Sequence, residues 1–499
     1  MNLVIDTVMG CLPIPSVSRA GSLSAAAEED YDGEDRISEL PYEILCDIVS
    51  RLPVKDAART RCVSSRWHHV WHSAPLVLYD EHLVPARDRE AGERISEKHF
   101  AAIGSVLAQH PGPFRVVHLS CCCFESYLNE LYIWSGLLAA RDVHGLVLVN
   151  QPIPMDMILP PEVFGCAALR RLYLGFWALP EIAGLPDGGA VFPHLRELGL
   201  LMTGMTGKDL EHMLASSPLL EKLLLVCSRG MPQLVRLRGQ SLRCVLFCKY
   251  AALEIAVMDA PLLERLILHK AWVRGCEVLR ISMASAPRLQ VLGYLDAGEH
   301  GLKIGSTVIK VDTKESPDAS VPSVKILAVK VNLGAFSEVN TLYSFLRCFP
   351  HIETRHLQSA ATAVKSTDIP HEEFLQNLDH IQCLQSHIKN LVLHEFLGDR
   401  YETSFLKNFC GTAKAMQKLT LVVSDEKLAS LDVMKTFLRV IASHTANLSH
   451  TETGQCCMVL LVEPAAQQDW DCHKSSDLLV NDPFLPQQVN DIQFSNEGE

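Results

Sequence analysis

The chain has 499 residues, too many for one ordinary globular core, so several folded units or a repeat array are required. Hydrophobic residues make up 48% and charged residues 21%, which fits a folded polypeptide and confines long disorder to the ends. Forty-five Lys+Arg against 58 Asp+Glu leave a formal charge of -13, which excludes a nucleic-acid surface built on massed cations.

Residues 1–34 read as a disordered lead-in. Met1 to Pro15 is mildly apolar, but it has no basic start and Asp6 interrupts it, so no signal peptide is expected. The run Glu28-Glu29-Asp30-Tyr31-Asp32-Gly33-Glu34-Asp35 repels itself and cannot bury a core. Order is expected from residue 35. Pro41 has a pre-set φ and no N–H to lose, which suits the start of a helix. After it, Ile44, Leu45, Ile48 and Leu52 recur at i, i+1, i+4 and i+8 on one face, and Pro53 stops that helix. Val54 to Thr60 gives a second helix, and Val63, Trp67, Val70 and Trp71 mark a third. Three short helices over residues 35–80 hold more apolar side chain than they can bury among themselves, so part of that surface needs a partner.

From about residue 110 the rhythm becomes apolar-x-x-apolar-x-apolar. It runs through Phe114-Val117-Leu119, Val143-Leu146-Leu148, Leu169-Leu172-Leu174, Leu195-Leu198-Leu200, Leu220-Leu223-Leu225, Leu242-Val245-Phe247 and Leu263-Leu266-Leu268. It continues through Leu289-Leu292-Tyr294, Val324-Leu327-Val329, Ile352-Arg355-Leu357, Ile388-Leu391-Leu393 and Met416-Leu419-Leu421. Most steps match leucine-rich-repeat spacing, each triplet forming a short strand with its leucines inward. The leaders Ser-Pro-Leu-Leu-Glu (217–221), Ala-Pro-Leu-Leu-Glu (260–264) and Ala-Pro-Arg-Leu-Gln (286–290) turn the chain into the strand at one phase. The predicted fold is α/β: three N-terminal helices, then a solenoid with a curved parallel sheet and outer helices and turns. Asp209 to Leu214 and Leu342 to Leu346 are expected among the outer helices, and Arg355 is a charge at a core position. Polar stretches at 296–301, 312–320 and 360–373 read as a projecting loop or hairpin and a surface connection, and residues 491–499 as a frayed end. The basic run from Arg236 to Arg243 reads as a solvated rim.

Chemistry-bearing patterns are missing from the sequence. There is no Gly-x-x-x-x-Gly-Lys-Ser/Thr phosphate loop and no Gly-x-Ser-x-Gly elbow. His68, His69 and His72 lack an acid or Cys partner at helical spacing, so no metal is expected. The 17 cysteines are odd in number and include no Cys-x-x-Cys pair, which suits free thiols in a reducing cytosol or nucleus. No stretch reaches the uncharged length that spans a bilayer, and the sequon at Asn447 then meets no glycosylation machinery.

Arg36-Ile37-Ser38-Glu39-Leu40-Pro41-Tyr42-Glu43-Ile44-Leu45, then Ser50-Arg51-Leu52-Pro53-Val54-Lys55-Asp56-Ala57-Ala58-Arg59-Thr60, then Val63-Ser64-Ser65-Arg66-Trp67, resembles the plant F-box. Ser65 departs from it, standing where a basic residue is common. Cys383 to Leu393, with Phe396-Leu397-Gly398, Glu402, Phe405-Leu406 and Met416-Gln417-Lys418-Leu419, is similar to the FBD domain. The order of parts resembles plant F-box/FBD/leucine-rich-repeat proteins: F-box at 35–80, solenoid at 81–372, an FBD-like distal end at 373–450 and a C-terminal segment at 451–499.

The resemblance implies an adaptor with no catalytic site and no cofactor, the substrate-recognition subunit of an SCF-type ubiquitin ligase. Its F-box would bind a Skp-type adaptor, and through it a cullin, while the repeats recruit a protein target; neither nucleic acid nor membrane is implied. By motif position the contact set is Leu40, Pro41, Ile44, Leu45, Ile48, Leu52, Val63 and Trp67. Two alternatives stand beside it. One is a hormone-type small-molecule co-receptor, needing a basic strip such as Arg170, Arg171, Arg196, Lys222, Arg243 and Arg265 could form. The other is a repeat scaffold outside any ligase. The expected location is cytoplasmic or nuclear.

Overall fold

The computed structural model describes residues 2–14, 17, 35–83, 97–151, 156–182, 192–227, 229, 234–273, 277–311, 320–359, 381–423, 458–462 and 470–485. Most of the acidic run, the polar stretches at 312–319 and 360–380, Asn447 and the end from 486 lie outside them. The chain divides into two compact units, Met1–Gly230 and Met231–Glu499.

The first unit begins with a difference from expectation. Helix α1 (Asn2–Gly10) occupies the segment read as disordered. Val8, Cys11 and Leu12 recur at i, i+3 and i+4, and all three are buried. That spacing is the reason the segment folds, and the lack of a targeting pattern hid it. The three short helices follow: α2 (Tyr42–Ser50), α3 (Val54–Thr60) and α4 (Ser65–Ser73). Strand β1 (Leu76–Tyr79) leads on to α5 (Glu97–Gln109), β2 (Phe114–Leu119), α6 (Leu128–Ala139), β3 (Val143–Val149), β4 (Arg171–Gly175), β5 (Glu197–Leu201), α7 (Gly207–Ala215) and β6 (Lys222–Val226). All six strands pair in parallel in chain order. Register aligns Leu172, Leu198 and Leu223, and again Leu174, Leu200 and Leu225, and every one of these is buried. The expected helix at Asp209 to Leu214 lies within α7, whose Thr206 and Asp209 form a reciprocal capping box.

In the second unit the strands alternate between two sheets. The main sheet is parallel, with β8 (Cys244–Cys248), β10 (Arg265–His269), β12 (Val291–Asp296), β15 (Ile326–Val331), β16 (Thr354–Ser359), β17 (Asn390–Phe396), β18 (Lys418–Val423) and β19 (Met458–Val462). The other is built from β7 (Leu234–Arg238), β9 (Glu254–Asp259), β11 (Leu279–Met283), β13 (His300–Ile304) and β14 (Thr307–Ile309), parallel except for the β13–β14 hairpin. Outer helices were expected here, and strands stand in their place. The reason is reach: between β8 and β10 the chain has to go out and back within few residues, and a strand rises about 3.3 Å per residue against about 1.5 Å for a helix. The run expected to be a solvated rim is partly β7, with Val235 and Leu237 buried. Where the step lengthens, helices return as α8 (Phe336–Cys348), α9 (Gln382–Ser386), α10 (Arg400–Thr412) and α11 (Cys472–Ser476).

The FBD-like residues of this unit have a local purpose. Gly398 sits at φ +70°, and Glu402 Oε2 accepts from the backbone amides of Leu397, Gly398 and Asp399 at 3.0, 2.7 and 3.2 Å. Asp399 completes the capping box that starts α10. Phe405, Leu406 and Phe409 then face the core from that helix.

Every predicted triplet coincides with a strand or its lead-in, with one change of phase. Leu295 takes the core position expected of Tyr294, because register shifts between Leu292 and Leu295. Arg355 is a core residue: it pairs in register with Leu327 and Leu391 and is fully buried.

Candidate docking surface

Pro41 and Pro53 occupy the N-cap positions of α2 and α3 at φ -52°, so each proline ends one segment and starts the next helix. Ser64 caps α4, its side chain accepting from the Trp67 amide. The segment before α2 is fastened to α4. The Arg66 guanidinium donates to the carbonyls of Ser38 and Leu40, the latter at 2.6 Å, and Trp67 Nε1 donates to Ser38 Oγ at 2.8 Å. The Tyr42 hydroxyl donates to the His69 carbonyl at 3.2 Å. Arg115 on β2 reaches Asp47 Oδ1 at 3.2 Å and Ser50 Oγ at 2.7 Å, which anchors α2 to the first repeats. Hydrogen bonds from Arg51 and then Arg115 hold the Asp47 carboxyl below the ordinary range.

The eight predicted contact residues divide into three groups. Pro41, Ile44 and Val63 are exposed, Ile44 by 48% and Val63 by 64%. Leu40, Ile48 and Leu52 are half-buried. Leu45 and Trp67 belong to the interior, 0% and 7% exposed, packed in a core that includes Val49, Val70 and Trp71. In the chain by itself these two of the eight expected contacts are core side chains. The apolar stripe of α2 is wide enough to serve two faces, Leu45 and Val49 inward and Ile44 and Ile48 at the border. Two further residues join the exposed set: Ile37, 57% exposed, and Tyr42. Ile37 lies three residues before Leu40, and its amide-linked turn (Leu40 N to Ile37 O, 3.1 Å) brings it beside the start of α2. That spacing was the available signal.

Other candidates are now located. His68, His69 and His72 are exposed on α4, and among the described residues no group of three or more His, Cys, Asp or Glu could hold a metal ion. Every described cysteine is a free thiol. Burial, then Asp80, pushes Cys121 up to about 12, and burial pushes Cys348 to about 12 and Cys166 to about 11, which disfavours the reactive thiolate. The proposed basic strip is largely neutralised in place. Arg171 lies 3.1 Å and Lys222 3.6 Å from Glu197, Arg196 pairs with Glu221, and Arg243 pairs with Glu264 at 2.8 Å. Arg265 is buried and donates to backbone carbonyls. Among the described residues, no helix is long and apolar enough to cross a membrane.

Comparison with known proteins matches the same parts. Residues 37–79 match the F-box domain, residues 131–357 the leucine-rich repeats of the FBD-associated F-box protein At5g56370, and residues 376–421 the FBD. None of the three is a catalytic domain. The F-box/FBD/LRR-repeat protein At1g13570 of Arabidopsis thaliana is 23% identical over 82% of this chain and 96% of its own length. A second such protein, At5g53840, is 23% identical over 78% of this chain and 88% of its own. The F-box/LRR-repeat protein At3g26922 is more similar, 31%, but over 30% of this chain, which spans about half (46%) of that relative. With an F-box, leucine-rich repeats and an FBD in that order, and relatives of the same make-up along most of its length, the chain belongs to the plant F-box/FBD/leucine-rich-repeat proteins.

Proposed function

We propose that this chain is the substrate-recognition subunit of an SCF-type ubiquitin ligase, in which the F-box binds a Skp-type adaptor and the repeats recruit a protein target. One observation carries the reading. Three short helices fill their own interior with Leu45, Val49, Trp67 and Val70, yet they and the turns that lead into them still expose Ile37, Ile44 and Val63. Burying each large apolar side chain is worth roughly 1.5–3 kcal/mol, so a handful supports a specific complex. The docking set is Ile37, Leu40, Pro41, Tyr42, Ile44, Ile48, Leu52 and Val63. Leu45 and Trp67 support it from within, and the chain adds no catalytic group of its own. The complex is assigned to the cytoplasm or nucleus, where free thiols persist.

Capture of the full chain on an immobilised Skp-type adaptor tests this. Wild type is retained and the Leu40→Ala/Pro41→Ala variant is lost. Undiminished retention of that variant would remove the assigned face.

A further inference from the structure

The outward faces of the strands differ between the two units. On β4 to β6 the outward positions include Arg171, Glu197 and Lys222, a row of paired charges with Arg171 exposed. In the matching row on β8 and β10 stand Cys244 and Arg265, both buried, and the outward positions after them, Leu246, Cys248, Ile267 and His269, are buried as well. What covers that face is the chain's own segment from Trp470 to Leu485.

The cover is specific at each step. Trp470 stacks flat on His269, ring centroids 4.3 Å apart and planes 5° from parallel. Asp471 caps the short helix α11, which packs on β8. The carbonyls that follow are collected by Arg265, whose guanidinium donates to Ser475 at 3.3 Å, Asp477 at 2.9 Å and Val480. His356 on β16, fully buried, donates from Nε2 to Asp482 Oδ2 at 2.9 Å, while its Nδ1 lies 3.0 Å from His394 Nε2. Phe484 meets the Tyr294 ring edge at 5.0 Å and the His356 ring at 5.4 Å.

A face covered for good is built most stably from apolar side chains, because each buried polar group must be individually matched. Here two strands, β10 and β16, present Arg265, His269 and His356, and the segment answers each with carbonyls, an aromatic ring and a carboxylate. The segment has little core of its own: Cys472, Ser475, Pro483 and Phe484 are buried while Leu479 is 90% exposed. It is held as a peptide ligand is held.

We propose that the outward face from β8 to β17 is the target-binding site, and that Trp470–Leu485 is its intramolecular occupant. The inference rests on the receptor reading above and names the partner's chemistry. A target segment presents an aromatic ring to His269, the carbonyls of a short turn to Arg265, and an Asp-x-aromatic step to His356 and Tyr294. Binding of such a segment displaces the chain's own copy.

The test uses the full chain and a labelled synthetic peptide with the sequence of Trp470–Leu485, Cys472 replaced by serine. A tethered copy competes at an effective concentration in about the mM range. Wild type therefore binds the peptide at least tenfold more weakly than the W470A/D482A/F484A variant. Arg265→Ala in that variant removes the gain. Equal binding by wild type and triple variant, or gain that survives Arg265→Ala, overturns the proposal and leaves the segment a structural brace only. Should the triple variant not fold, Asp482→Asn, which conserves volume, gives the same comparison. Skp-type adaptor capture is read on every variant in parallel. Failure of the receptor reading shows as lost capture by wild type, whereas failure of this proposal leaves capture intact and peptide binding unchanged.

Discussion

Arg355 is the residue whose environment departs most from its chemistry. It stands in a strand between Leu327 and Leu391, fully buried, and Nε and both terminal nitrogens find no hydrogen-bond partner among the described residues. Its guanidinium lies over the Phe409 ring, 5.1 Å from the centroid. Burial lowers its pKa to about 10, so it is still charged at neutral pH and its desolvation is only partly offset by the ring. Replacing a buried, unpaired charge with an apolar side chain of similar volume commonly stabilises by about 1–4 kcal/mol. Arg355→Met is therefore expected to raise the urea midpoint; a lower midpoint would mean the guanidinium contributes more than its burial costs. The same residue shows the limit of reading sequence. Repeat phase located it in the core, but no pattern in the chain names Phe409, from α10, as the face it would meet.

At the scale of elements, the repeat strands were legible because twelve triplets share one phase, while their return paths were not. Nothing in leucine spacing states whether the chain goes back as α7 or as β9; length and rise decide that. The corners were hidden for another reason. Phe176, Met202, Cys227, Lys249 and Lys270 each follow a strand at positive φ, between 48° and 62°, with no glycine to mark the turn. A non-glycine residue there costs roughly 1–2 kcal/mol, and glycine gives back part of it through unfolded-chain entropy. Lys270 has an exposed side chain, so Lys270→Gly is expected to stabilise by about 0.5–1 kcal/mol net, and Lys270→Val to destabilise by ~1 kcal/mol or more. Urea unfolding checks both, and the opposite order would contradict the repeated corner. In the F-box, the helices and their prolines were readable, but a one-dimensional stripe could not separate Ile44 from Leu45. That division needed the third helix in place.

Across the whole molecule, acid is expected to destabilise the fold through neutral histidines. Burial lowers His118 to about 4; burial, with Arg141 adding to it, lowers His110 to about 4. Burial first, then nearby charge, lowers His269 and His394 to about 3. The unfolded chain takes up these protons near pH 6.5 and the folded chain only below 4. Their contribution is complete above 6.5 and declines as pH falls through that window. Asp80 opposes them. Burial raises it to about 6, so it favours the folded state in acid and loses that advantage as pH rises through 6. Four groups outweigh one, and linkage puts each histidine on the order of 1 kcal/mol between pH 7 and pH 5. The urea midpoint should fall over that range; a midpoint unchanged or higher at pH 5 would show these histidines are not held neutral.

The division of α2 into an inner and an outer face carries the docking account, and affinity for a purified Skp-type adaptor tests it most directly. Ile44→Glu/Val63→Glu places charge on two exposed side chains, so the melting transition should stay at the wild-type position while affinity drops at least 100-fold. Leu45→Ala empties a core position and should cost about 2–5 kcal/mol of stability, with the folded fraction still binding. Adaptor affinity that survives Ile44→Glu/Val63→Glu in a folded chain would contradict the account.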